Sequence, residues 1–331
     1  MKKYGILLLI VTLLLMAIPL PNYPFGEGKS SPNDLPENET ADAFDGMNFL
    51  VLDTDSGKVI EMSERDFIIG TVSCEMSPTY EPEALKAQAV AAYTYYSVKR
   101  ARTRAADQAD KSLKGADFSD VPTRFPEAYS REGMTERFGK NGADYYDKIA
   151  AAVDAVLGQK ICYQNEPIVA LYHAISSGTT EIPANVWGGD YPYLHSVPSP
   201  GDLLAPQYET TVSVWADEFA AGMKTLDDKL AFGDDAAKWV GEKPNCSQAG
   251  TVLSINVMGK AFTGSELRTA FDLRSACFTL AYQKGVFTFT VKGYGHGVGM
   301  SQYGANYLAE QGANYREILN FYYTDVEIRT S

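Results

Sequence analysis

The stretch SERDFIIGTVSCEMSPTYEPEALKAQAVAAYTYY, residues 63–96, decides how the rest of the chain is read. Ser63 with Asp66 three positions on has the form of a capping box, Asp standing where Glu is usual. A helix opened there runs to about Met76 and is stopped by Pro78. Pro82, flanked by Glu81 and Glu83, opens a second helix, which ends in the basic cluster Lys99, Arg100, Arg102 and Arg104. Each end thus carries the charge that suits the helix dipole. Residues 84–96 are apolar nearly all round, which places this helix at the centre of a core.

Around these helices the pattern changes. Asn48 to Asp53 and Lys58 to Met62 alternate about Asp53-Thr54-Asp55-Ser56-Gly57 and predict a hairpin. Residues 105–145 are polar and weakly periodic, hence loop-rich. Alternating segments at 159–163, 167–173, 251–257 and 286–291 read as strands, and Tyr315 to Tyr323 as a short amphipathic helix. Helices mixed with antiparallel strands predict an α+β fold, one mixed domain over 47–331 with a helical active-site lobe.

One acid stands out. Ile68, Val72, Glu75 and Met76 share a helix face, so Glu75 lies at the end of an apolar stripe. Desolvation there, and the negative end of the helix dipole, both raise a carboxyl's pKa. A carboxylic acid still protonated near neutrality can donate a proton to a leaving oxygen. A glutamate that snorkels, or pairs with an arginine, is the ordinary reading of the same geometry.

Two further segments carry chemistry. In Tyr172-His173-Ala174-Ile175-Ser176-Ser177-Gly178-Thr179-Thr180-Glu181 a strand ends in a histidine and passes into a hydroxyl-rich turn. Ser, His and acid bring a serine hydrolase to mind, but no Gly-x-Ser-x-Gly elbow is present, and a polar turn with a structural histidine fits equally. The segment Gly293-Tyr294-Gly295-His296-Gly297-Val298-Gly299-Met300-Ser301-Gln302 has four alternate glycines, which permit positive φ and close backbone approach. It has neither the Lys-Ser/Thr of a P-loop nor dinucleotide spacing.

The 331 residues contain 29 Lys+Arg and 42 Asp+Glu, a net charge of −13. That argues against a partner bound through phosphate neutralisation, nucleic acid above all. With 45 % hydrophobic residues the chain can bury a sizeable core. Lys2 and Lys3 precede an uncharged run from Tyr4 to Leu20, long enough at about 1.5 Å per residue to cross a bilayer. Residues 1–22 are therefore read as a membrane anchor, favoured over a cleaved signal peptide because no good Ala-x-Ala site precedes Pro19, Pro21 and Pro24. Either way the remainder is exported. Residues 23–46, rich in Pro, Ser, Asn and acids, form an acidic extended linker. The four cysteines lack CxxC spacing; Cys246 and Cys277 could pair outside the cytoplasm, or all four could be free thiols.

Glu75-Met76-Ser77-Pro78, the run from Glu83 to Ala92, the segment 173–181, Val186-Trp187-Gly188, Pro192 to Val197, Leu273-Arg274-Ser275 and 295–305 together resemble the stage II sporulation protein D family, in order, over residues 47–326. The resemblance implies a peptidoglycan lytic transglycosylase acting in forespore engulfment on glycan strands stripped of stem peptides by a partner amidase. It implies no cofactor. It places the domain outside the mother-cell membrane, facing the intermembrane space, among other engulfment proteins. Glu75 matches the family's catalytic acid. His173, Ser176, Ser177, Thr180, Glu181, His296 and Gln302 match cleft residues, and Lys86 a lysine that aids activity. Tyr93 stands where the family has Arg, and His195 where it has a stronger cation, which weakens expected charge contacts to substrate. Some relatives bind zinc after the second helix; residues 97–150 contain no Cys or His, so no such metal site is expected. The same domain in amidase-enhancer proteins leaves a non-catalytic activator as the alternative, and a hydrolytic muramidase as a third.

Overall fold

The computed structural model describes residues 48–330, apart from 55, 107–109, 120–128 and 242. The anchor expected at 1–22, the linker expected at 23–46 and Asp55 in the hairpin turn lie outside the described residues. Among the described residues no helix is long and apolar enough to cross a membrane.

The opening hairpin forms as expected, β1 (Phe49–Leu52) pairing antiparallel with β2 (Val59–Met62). Helix α1 (Glu64–Glu75) begins where the Ser63 side chain accepts the Asp66 N–H, and α2 (Pro82–Ala105) begins at its proline. Ala84, Leu85, Ala87, Ala89, Val90, Ala91 and Ala92 on α2 are all at most 2 % exposed. Alanines let neighbouring elements approach the helix closely, and α1, the strand Gln159–Tyr163 and two C-terminal helices pack around it. Its far end is fastened to β1 through Asp117, which takes the Arg104 guanidinium at 2.7 and 2.9 Å and the Leu50 N–H at 2.8 Å.

Residues 105–145, expected to be loop-rich, also carry helix. Helix α3 (Arg131–Phe138) follows a Ser130 cap, and α4 (Gly142–Asp154) follows it. Only Met134 of α3 is buried, so its periodic signal amounts to one residue.

Beyond α4 the chain is mostly strand. A first sheet has the order β13-β3-β4, from Glu327–Thr330, Gln159–Tyr163 and Glu166–Pro167. The strand expected at 167–173 survives only at its ends, as β4 and β5 (Tyr172–His173). A second core gathers β6 (Glu209–Trp215), α5 (Ala216–Leu226), the sheet of β7 (Asn245–Cys246), β8 (Val252–Val257) and β9 (Lys260–Phe262), α6 (Gly264–Ala270), β10 (Phe278–Gln283) and β11 (Val286–Lys292). Phe287 and Phe289 point inward at alternate positions, and Phe219 stacks on Phe287 at 4.0 Å. The chain then returns to the first core through β12 (Met300–Ser301), α7 (Gln302–Glu310) and α8 (Tyr315–Tyr322). Among the described residues all strand pairs are antiparallel except β5 with β12, so the mixed, largely antiparallel architecture is α+β.

Candidate active site

Helix α1 ends because Met76 leaves it for extended backbone, its N–H still bonded to the Val72 carbonyl at 3.0 Å. Ile68 and Val72 are fully buried on the stripe that leads to Glu75, and no basic residue occupies the last turn. Glu75 itself is partly exposed. Tyr95, Tyr96 and Tyr172 lie within electrostatic reach of its carboxyl. Desolvation raises the Glu75 pKa from its ordinary value to about 7, partly opposed by a hydrogen bond from Gln302. The Gln302 amide Nε2 donates to Glu75 Oε2 at 3.1 Å and reaches Gln88 Oε1 at 3.5 Å. Gln88 and Gln302 are 0 % and 3 % exposed, and the Gln88 amide nitrogen has no hydrogen-bond partner among the described residues. A half-protonated acid beside an unsatisfied donor is suited to polar substrate.

Gln302 is held by a short parallel pairing, Met300 with Tyr172 and Ser301 with His173. The pairing depends on glycine: at Gly299 (φ +75°) a Cβ would lie 2.0 Å from the Leu171 carbonyl oxygen. The four alternate glycines, 293, 295, 297 and 299, all take positive φ, as their spacing predicts. Ser301 caps α7 by accepting the Gly304 N–H at 3.2 Å and donates to Asp202 Oδ1 at 2.7 Å. Asp202, fully buried in the turn Pro200–Leu204, also accepts the Ser176 N–H at 3.0 Å and the Ser176 hydroxyl.

The pleat divides the residues expected at the cleft. Side chains alternate across a strand, so Tyr172 and Met300 face one side and His173 and Ser301 the other. Tyr172 is on the Glu75 side. His173 packs its ring 5.7 Å from that of His296, which stands 5.2 Å from Trp187. Burial pushes both histidine pKa values down, more strongly for His296, which also feels His173 and Arg268. The structure thus brings Glu75 and Gln302 together and sets His173 and His296 on a different face.

The rest of the 176–181 turn is engaged internally. The Ser177 hydroxyl donates to the Ala249 carbonyl. Thr180, 0 % exposed, accepts the Val197 N–H at 2.9 Å. Glu181 accepts from Ile182 N–H and Asn185 Nδ2 at 2.9 and 2.8 Å, and from the Ser247 hydroxyl. Ser176 donates to Asp202 and not to a histidine, so the serine-hydrolase arrangement does not form. A cavity of about 30 Å³ lined by Ser177, Glu181, Arg268, Cys277, Lys292 and His296 opens beside this turn, apart from Glu75. All four cysteines are free thiols.

Lys86 is tied to Glu83 at 2.6 Å, and Glu83 in turn accepts the Tyr315 N–H at 2.8 Å. His195 is exposed. Tyr93 is 1 % exposed and its hydroxyl donates to Glu64 Oε2 at 3.0 Å. Its replacement of an arginine therefore acts on the core, and the expected loss of a substrate contact at this position is corrected. Sequence reasoning missed Gln88 and Asp202 as site-building residues. A lone amide within the alanine-rich stretch of α2 was the available signal for the first; Asp202 has partners 26 and 99 positions away and no local pattern.

Compared with known proteins, residues 53–163 match the family described as "Stage II sporulation protein". A stage II sporulation protein D of Bacillus amyloliquefaciens is 36 % identical over 276 residues, covering 83 % of this chain and 76 % of that protein. One from Bacillus subtilis (strain 168) is 32 % identical over 342 residues, covering 99 % and 96 %. An amidase enhancer of the same strain is 28 % identical over 306 residues, covering 77 % of this chain but 39 % of the enhancer. A sporulation protein is thus defined, and the chain belongs to the stage II sporulation protein D family.

Proposed function

We propose that the protein is a peptidoglycan lytic transglycosylase that cleaves the MurNAc–GlcNAc bond of peptide-free glycan strands during engulfment. The observation that carries this reading is the single carboxyl at the end of α1, partly exposed and raised by desolvation to about 7. Protonated Glu75 gives its proton to the glycosidic oxygen as the C1–O bond breaks. The resulting carboxylate then takes the proton of the sugar's own 6-hydroxyl, whose oxygen bonds to C1 and closes a 1,6-anhydro ring. One carboxyl serves both steps, and no water is consumed. Assistance from the 2-acetamido group supplies an internal nucleophile in place of a second carboxylate. Gln302 orients the acid. Residues 1–22 anchor the chain in the mother-cell membrane, with the folded part outside and a wall amidase supplying the peptide-free substrate.

Mass spectrometry of products from peptide-free glycan tests the reaction. Fragments one water lighter than hydrolysis products are expected. Reducing ends instead would mean a muramidase. The relation to an amidase enhancer favours one second reading, non-catalytic activation of an amidase. An unchanged polymer, with Glu75→Ala still stimulating the amidase, would support it.

A further inference from the structure

On an acidic chain, one face of α2 leading away from Glu75 carries cations. Tyr95, Lys99 and Arg102 are spaced i, i+4 and i+7 and so share that face, and all three are partly exposed. Tyr95 is within electrostatic reach of both the Glu75 carboxyl and the Arg102 guanidinium. The Lys99 ammonium lies 6.0 Å from the centre of the Tyr95 ring. Seven helical residues advance about 10 Å, comparable to one disaccharide repeat.

Arg102 differs from the other arginines of this helix. Arg100 is buried against Glu64 at 2.9 Å and Arg104 grips Asp117 at 2.7 Å. Among the described residues no carboxylate comes within ion-pair distance of Arg102; the groups it senses are the phenols of Tyr193, Tyr191 and Tyr95. Tyr191 and Tyr193 come from the loop facing α2, their rings 6.0 Å apart and tilted edge-to-face. A half-buried guanidinium among tyrosines, with its fork uncommitted, is costly unless an anion completes it. Burial accordingly lowers the Arg102 pKa.

We propose that Arg102 selects peptide-free strands by binding the lactyl carboxylate of a MurNAc residue beside the cleavage point, while the tyrosines pack on the sugar rings. The proposal rests on the glycan-cleaving reading above and names the feature of the substrate that this reading leaves open. Removing a stem peptide turns the lactyl amide into a carboxylate, the one group on the strand that changes charge. A guanidinium matches it with two parallel hydrogen bonds, which an amide cannot accept in the same way.

The test compares peptide-free glycan with the same glycan whose lactyl carboxylates have been coupled to methylamine, removing the charge at little cost in size. Release of anhydro ends is measured for the wild type, Arg102→Gln and Arg102→Lys, with circular dichroism and melting as checks of folding. Binding of both glycans is measured separately with Glu75→Gln and with Glu75→Gln/Arg102→Gln. The wild type should prefer the carboxylate form about tenfold, and that ratio should fall to about one in Arg102→Gln. Arg102→Lys, which keeps the charge without the fork, should retain part of the preference, and salt should erode it. Equal treatment of the two glycans by the wild type, or an undiminished preference in folded Arg102→Gln, overturns the proposal. If no anhydro ends form while binding still shows an Arg102-dependent preference, the transglycosylase reading falls and carboxylate recognition stands. Absence of binding to either glycan sinks both.

Discussion

Helix α1 carries a glutamate near each end, and the two ends are built in opposite ways. Glu64 is 7 % exposed, pairs with Arg100 at 2.9 Å and accepts the Tyr93 hydroxyl at 3.0 Å. It also sits in the first turn of the helix, at the positive end of the dipole. Glu75 lies at the negative end, with one neutral amide donor and no cation among the groups acting on it. The first is an acid spent on holding α1 to α2. The second keeps its proton available. The same residue type on the same helix meets a cation at one end and a neutral amide at the other, according to what α2 and α7 place opposite it.

The comparison breaks first at Glu75. Glu75→Gln should lower cleavage of peptide-free glycan on the order of a thousandfold, with the fold intact by circular dichroism. Retention of full activity by a pure variant would remove the reactive end of the contrast. Glu64→Gln should do the reverse. It breaks the buried ion pair with Arg100, at a cost of about 3 kcal/mol in urea unfolding, while the folded fraction keeps its turnover.

pH separates the ends further. The Glu75 pKa is about 7 in the folded state against 4.5 as its ordinary value. Below 4.5 both folded and unfolded chains hold the proton, and stability is unaffected. As pH rises toward 7 only the unfolded chain releases it, so stability falls. Glu75→Gln should therefore exceed the wild type by on the order of 3 kcal/mol at pH 8 and match it at pH 4, as read by melting across pH. Cleavage should decline above about pH 7, where the acid is lost. The smallest effect concerns Gln302. Because its hydrogen bond lowers the Glu75 pKa, Gln302→Leu should move that alkaline limb upward, and a downward move would show that Gln302 does not act on the carboxyl.

The contrast also marks what was legible in the sequence. Ser63, Pro78 and Pro82 are local signals, and α1 and α2 form within a residue or two of where they point. The stripe of Ile68 and Val72 likewise foretold the desolvated setting of Glu75. The second core was legible in part: β8 and β11 form where their alternation points, but β6 has no fully buried residue and α5 follows it without a proline or glycine signal. The grouping of site residues was hidden for another reason. Which face His173 takes depends on its register with Ser301, a pairing across more than a hundred residues that no local periodicity encodes.

The hydrogen bond between Glu75 and Gln302 joins positions 227 apart. The amide that meets this carboxyl belongs to the segment following β12, one of the last parts of the chain to be made, so the pair forms only once nearly all of the fold is in place.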